Sequence, residues 1–325
     1  MEENKLTEQA KELNNEATLL LKDGFLEEAK SKYLEALELN PGSTTINNNL
    51  GYLLLQEGET DKAVAHLLKA IELNPENYNA FLNLGISYIA QNKYDEAYKA
   101  LVRSVELNPS NVSAWEALAK YFMVVSEFGE AERAWHETVE LTGELQYYYQ
   151  FALTKSLQKK YDEAIEIYHY IVGKDEEFVP AYQQLGIVYY LQQNFGLAKK
   201  YLYKALGYEP ENEDARYHLA LVYLSMNEND KAIAEFERII SLNPSNIDVK
   251  TDLGVLYMGI NNFARALELF SEVLKIDSNH PKAYYYKAHA LKKLGYTDEA
   301  SEIFRDIATN PGHPYSKEAG EYIYS

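Results

Sequence analysis

Residues 78–111 read YNAFLNLGISYIAQNKYDEAYKALVRSVELNPSN, and this stretch decides the fold because it comes back. Its Leu107-Asn108-Pro109 occurs 34 residues earlier as Leu73-Asn74-Pro75, 34 before that as Leu39-Asn40-Pro41, and again at Leu242-Asn243-Pro244. A fixed period of this size is the mark of stacked supersecondary units. With proline in column 32, the chain divides into nine units, 10–43, 44–77, 78–111, 112–144, 145–178, 179–212, 213–246, 247–280 and 281–314, of which only the fourth is one residue short. Column 20 is then alanine in all nine, from Ala29 and Ala63 through Ala97 to Ala300, and column 8 is only ever alanine or glycine. Two antiparallel helices approach closely where neither carries a bulky side chain. Leucine or phenylalanine in column 7 and Tyr33, Leu67, Leu101, Trp135 and their equivalents in column 24 are the large residues that fill what remains. A turn such as Asp23-Gly24-Phe25 or Gln91-Asn92-Lys93 separates the two helices of a unit. Asn-Pro stops the second helix, since proline disfavours helical geometry in the residue before it.

On these columns the chain resembles the tetratricopeptide repeat (TPR) family, and unit 78–111 matches it with Phe81, Leu84, Gly85, Tyr88, Ala97, Leu101, Ser104 and Pro109. The resemblance implies an all-α fold, a right-handed superhelical α-solenoid of nine helix-turn-helix units, in a single array over residues 1–325 closed by a cap helix at 315–325. Glu16 and Lys287 stand in column 7 of the terminal units, whose outer faces meet water, and the cap ends in Tyr322-Ile323-Tyr324. Column 32 departs from proline at Gly143, Glu176 and Ser278, so the angle between successive hairpins is least constrained near 143–145, 173–178 and 276–281.

Composition excludes several functions. With 46% hydrophobic and 25% charged residues the chain has globular usage throughout. Its 31 basic and 50 acidic residues give a net charge of −19, which repels phosphate backbones and anionic membranes, so nucleic acid is not expected as a partner. There is no apolar leader after Met1 and no run long enough to span a membrane, so cytoplasm is the expected compartment. Without cysteine there is no disulfide framework, thiolate metal site or cysteine nucleophile. The seven histidines include no i,i+4 pair, and no phosphate loop or catalytic triad stands out, so neither enzyme activity, metal nor cofactor is expected. Trp115 and Trp135, in columns 4 and 24 of one unit, read as packing residues, as do the tyrosines of columns 4 and 11.

Binding of a protein or an extended peptide remains. Column 6 reads Asn15, Asn49, Asn83, Ala117, Gln150, Gln184, His218, Asp252, Tyr286. Carboxamides one repeat apart can each donate to a carbonyl and accept from an amide of an extended peptide. The TPR arm of O-linked N-acetylglucosamine transferases has such an asparagine ladder, and the likeness extends to Asn15, Asn49 and Asn83 alone. The resemblance turns column 5 to the concave groove, where Tyr149, Tyr217 and Tyr285 offer contact area at little entropic cost. Against this stands the plainer reading of a wet face braced by tyrosines. The two-carboxylate clamp of the family's chaperone cofactors lacks its cations here. Lys282, His289, Lys292 and Lys293 gather positive charge in the last unit, either to hold an anionic segment or to balance acidic neighbours. The expected function is a non-catalytic scaffold or peptide receptor. The alternatives are a regulatory or substrate-selecting subunit of an enzyme complex and a self-assembling structural array.

Overall fold

The computed structural model describes residues 2–323 and the side chains of residues 5–322; Met1, Tyr324 and Ser325, and with them the end of the expected cap, lie outside the described residues. Nineteen helices and, among the described residues, no strand make up the chain. The first helices of the nine units are α1 (Glu2–Lys22), α3 (Thr44–Gln56), α5 (Tyr78–Ala90), α7 (Val112–Val124), α9 (Leu145–Leu157), α11 (Val179–Leu191), α13 (Glu213–Ser225), α15 (Ile247–Gly259) and α17 (Pro281–Leu294). The second helices are α2 (Leu26–Leu39), α4 (Thr60–Leu73), α6 (Tyr94–Leu107), α8 (Phe128–Thr142), α10 (Tyr161–Lys174), α12 (Phe195–Tyr208), α14 (Asn229–Leu242), α16 (Phe263–Ile276) and α18 (Thr297–Thr309), followed by α19 (Ser316–Ile323). The chain forms two compact units, residues 1–167 and 168–325, with the boundary inside α10. Within the first, α1, α3, α5 and α7 lie side by side as one layer; within the second, α11 touches α13 and α15 touches α17 in the same way.

The small columns are small for the reason their spacing suggests. A Cβ placed on Gly85 would stand 2.6 Å from Leu101 Cγ and 3.3 Å from the Ala97 carbonyl oxygen, so columns 8, 20 and 24 meet at one point. Gly51 faces Leu67 and Gly186 faces Leu202 in the same way. In units whose column 8 is alanine, column 24 is a ring, as in Trp135 or Phe236. A flat ring can be turned to fit beside a methyl group, although Phe270 faces a bare backbone, a Cβ on Gly254 standing 2.6 Å from its Cε1. All nine column-20 alanines and all nine column-24 residues are buried.

Column 15, which is glycine in three units, asparagine in three and Ser, Lys or Gln in the rest, has one backbone geometry. Gly24, Gly58, Asn92, Ser126, Lys159, Gln193, Asn227, Asn261 and Gly295 all take positive φ, between 58° and 90°. This left-handed residue lets the next N–H turn back onto the helix it leaves. Phe25 N–H donates to the Leu20 carbonyl at 2.9 Å, and the same bond recurs down to Tyr296 N–H and the Leu291 carbonyl at 3.0 Å.

The second helices end through column 31. Asn74 takes φ −142° and its Oδ1 accepts from the N–H of Glu76 at 3.0 Å, and Asn108 does the same for Ser110 at 3.2 Å. Asp277, with no proline after it, takes φ −126° and accepts from Asn279 at 3.0 Å; Asp175 accepts from Glu177 at 2.9 Å. The junctions at 173–178 and 276–281, which lack the proline, are therefore closed by the same side-chain turn as those after Asn74 and Asn108. At the fourth junction Thr142 likewise accepts the N–H of Glu144, at 3.2 Å, but α8 ends in the left-handed region at Gly143, φ 66°.

Candidate functional site

On the first-helix layer of residues 1–167 the polar columns bond to one another. Asn83 donates to Asn48 Oδ1 at 3.1 Å, Asn48 to Asn49 at 3.2 Å, Asn49 to Asn14 at 3.0 Å, and Asn14 to Asn15 at 3.5 Å. Column 6 of one unit thus reaches column 5 of the unit before. Asn14 and Asn83 are buried, Asn48 and Asn49 half-buried and Asn15 exposed. Asn15, Asn49 and Asn83 are brought together as one oriented run of carboxamides, a role for Asn14 and Asn48 that column 6 alone did not reveal. Asn83, Asn48, Asn49 and Asn14 each use one of their two N–H groups on the next amide, Asn15 only accepts, and each acceptor oxygen keeps a second lone pair. The run stops where Leu82 and Ala117, both buried, replace the amides. Beyond it on α9, Gln150 joins Gln146, Tyr147, Lys120 and Met123 around a cavity of about 500 Å³, and Tyr149 is half-buried on the same helix.

In residues 168–325 the same relation between columns 5 and 6 holds with different chemistry. Tyr217 Oη donates to Asp252 Oδ2 at 3.0 Å, and Lys282 Nζ donates to the other carboxylate oxygen at 2.7 Å. Burial, reinforced by Asp252, pushes the Tyr217 phenol up to about 12, so it remains a donor at neutral pH. Although burial opposes the Lys282 charge, its bond to Asp252 raises the ammonium overall. These three side chains line a cavity of about 720 Å³ with Glu213, Asp214 and Asp248. Asn246 donates to Glu213 at 3.3 Å, while Asp214 and Asp248 have no ion pair among the described residues. The recess carries four carboxylates against one ammonium. Asp214 and Asp248 escaped the reading of the sequence, although acidic residues in column 2 of two successive units were the available signal. Gln184 sits half-buried on α11.

Two expectations change. Tyr285 is 9% exposed, because its ring stacks on Tyr315 at 4.5 Å and packs against Phe304 at 6.1 Å. It belongs to the core of the last hairpin and its cap. The four basic residues of the last unit also form no single patch. Lys282 neutralises Asp252 at one end of α17, and Lys292 and Lys293 are exposed at the other, about 15 Å along the helix. His289 is enclosed between them by Tyr285 at 4.5 Å, Tyr322 at 4.8 Å and Phe304 at 5.0 Å. Burial, reinforced by Lys292 and Lys293, holds its imidazole below the usual range, so it supplies no cation.

Trp135 is buried as expected, whereas Trp115 is half-buried and donates Nε1–H to the Pro109 carbonyl at 2.8 Å. Lys155 is a buried cation in column 11, where other units have Leu, Tyr or Phe. It bonds Glu132 at 2.6 Å and Glu163 at 2.7 Å, while Lys160 and Gln158 bond the other oxygen of Glu132 at 2.6 and 2.7 Å. Among the described residues no cluster of His, Cys, Asp and Glu is arranged to hold a metal ion, and no helix is long and apolar enough to cross a membrane.

A family model described as tetratricopeptide repeat matches residues 54–121, 189–253 and 257–314, and a second of the same description matches residues 14–78. Among solved structures, the chain is similar to one in "Crystal structure of APC/C hetero-tetramer Cut9-Hcn1", with a TM-score of 0.53 and 19% identity. The match covers 82% of this chain and 52% of that one, so the chain spans about half of that chain's length. As 464 chains of known structure match, the likeness selects a fold and not a partner. No curated protein matches.

Proposed function

Because this chain belongs to the tetratricopeptide repeat family, we propose that it is a non-catalytic cytoplasmic scaffold that holds extended partner segments against its layer of first helices. The observation that carries this reading is the recurring bond between columns 5 and 6. It fixes Asn14, Asn49, Asn48 and Asn83 in one compact unit and Tyr217 and Asp252 in the other, so polar groups are ordered before a partner arrives. Ordered groups lose little entropy on binding, and each amide retains a donor and an acceptor for peptide backbone. Asn15, Asn49, Asn83, Gln150 and Gln184 are the backbone-reading residues in this proposal, and Tyr149 and Tyr217 the contact surfaces.

Charge sets the side-chain preference in residues 168–325. Lys282 offsets only Asp252, so the recess beside Tyr217 favours a segment that places lysine or arginine against Asp214 and Asp248. Peptides selected from a random library against the full chain should be enriched in basic residues. The change Asp214→Asn with Asp248→Asn should weaken the best of them about tenfold, or about 1.4 kcal/mol, with an unchanged melting temperature. Selected peptides without basic residues, or equal affinity for the variant, would refute this preference.

A further inference from the structure

We infer that the outward stripe of α12 is a docking site for an acidic segment of a partner protein. This surface lies on a second helix and is independent of the first-helix face. In a chain of net charge −19, α12 reads FGLAKKYLYKALGY, with three lysines and no carboxylate. Gly196, Lys200, Lys204 and Gly207 are spaced four, four and three residues apart, which puts them on one helix face, and all four are exposed. The equivalent four positions contain at least one Asp or Glu in every other unit, such as Asp95 and Glu106 in α6 or Asp230 in α14. Along the chain the next carboxylates are Glu209 and Glu211, past the end of the helix, while Asp175 and Glu176 of the preceding junction act on the Tyr182 phenol and form no ion pair with a lysine of the stripe among the described residues.

Among the described residues neither Lys200 nor Lys204 has a carboxylate partner. Each rests on a tyrosine ring, Lys200 Nζ at 5.2 Å from the centre of Tyr201 and Lys204 Nζ at 5.0 Å from that of Tyr182. These rings belong to one stack, in which Tyr208 lies 6.0 Å from Tyr182, Tyr182 6.5 Å from Tyr201 and Tyr201 5.5 Å from Tyr189. The stack holds the two ammonium groups over a fixed base. A ring face leaves their N–H donors open to a stronger acceptor.

The glycines have no internal reason to be glycine. A Cβ on Gly207 would meet nothing within 4 Å, and one on Gly196 would meet only Asn194 Oδ1 at 3.9 Å. Glycine inside a helix is destabilising relative to alanine, and a bare backbone at both ends of the stripe lets another chain approach the helix on either side of the lysine pair. Lys200 and Lys204 are about 6 Å apart as i,i+4 neighbours, close to the spacing of alternate residues on an extended strand. The fitting segment is therefore about five residues long, with acidic side chains at alternate positions. Two lysines without arginine on a strongly acidic protein favour carboxylates over the dense charge of a nucleic acid.

The test is fluorescence anisotropy of the full chain with a labelled peptide of alternating glutamate and alanine, and with its glutamine counterpart. The glutamate peptide should bind, more weakly as salt rises, and the glutamine peptide should not. Lys200→Glu with Lys204→Glu should weaken binding at least about tenfold. Gly196→Gln with Gly207→Gln should also weaken it severalfold while the melting temperature holds or rises, because glutamine is the better helix former. No binding of the glutamate peptide, equal binding of the glutamine peptide, wild-type affinity in either variant, or tighter binding of a labelled single-stranded RNA would each overturn the inference.

Discussion

At the scale of single residues, the array rests on positions where side chain and backbone place separate demands. Columns 8 and 20 were legible in the sequence because close approach restricts the side chain itself, and a Cβ on Gly85 has Leu101 in its way. Column 15 was legible only in part, because three glycines and three asparagines suit its dihedral angle while Ser126, Lys159 and Gln193 adopt the same angle without that signal. The non-glycine residues hold φ near 60°, at a steric cost that glycine avoids. Lys159→Gly, at φ 62°, should raise stability by about 0.5–1 kcal/mol, the relief of strain being partly offset by the greater freedom of glycine in the unfolded chain. Urea denaturation of the two proteins measures this, and a less stable variant would show that the turn is not strained.

At the scale of elements, the junctions show why some of the fold was hidden. Proline was the visible stop signal, yet Asp175 and Asp277 close their turns without it, by accepting the N–H two residues on. The buried pair of Lys155 and Glu132 was hidden for another reason, since it joins α9 to α8 and depends on which faces meet. Burial pushes the Glu132 carboxyl up, but hydrogen bonds from Lys155, Lys160 and Gln158 outweigh it and hold the group at about 2. Its folded value is below the unfolded one of about 4.3, so its contribution is full above about pH 5 and is lost as pH falls toward 2. Lys155 is raised instead, because its bonds to Glu132 and Glu163 outweigh burial, so its share persists up to the ordinary lysine range and is lost only above it. Glu132→Gln should destabilise by about 2–4 kcal/mol at pH 7, leaving Lys155 without its nearest carboxylate. The difference in melting temperature from wild type should narrow steadily between about pH 5 and pH 2. A difference that does not change with pH would show that Glu132 is not held ionised by the network.

At the scale of the whole molecule, periodicity made the helical array plain, while the candidate site was only half visible. Register placed Asn15, Asn49, Asn83 and Tyr217 in two adjacent columns, but no single column shows that column 5 of one unit bonds column 6 of the next. Tyr285 and His289 were misplaced for a related reason. The rings that enclose them, Tyr315 and Tyr322, come from the segment beyond the last repeat, where the register ends. The central claim is that the ordered amides of the first helices hold a partner's backbone. Its most direct measurement is a titration of one selected peptide or recovered partner against wild type and the triple change Asn15→Ala, Asn49→Ala and Asn83→Ala, with melting temperatures alongside. Losing three paired backbone contacts should weaken binding about tenfold or more. A variant that keeps its fold and binds as tightly as wild type would contradict the claim and move the binding surface elsewhere on the protein.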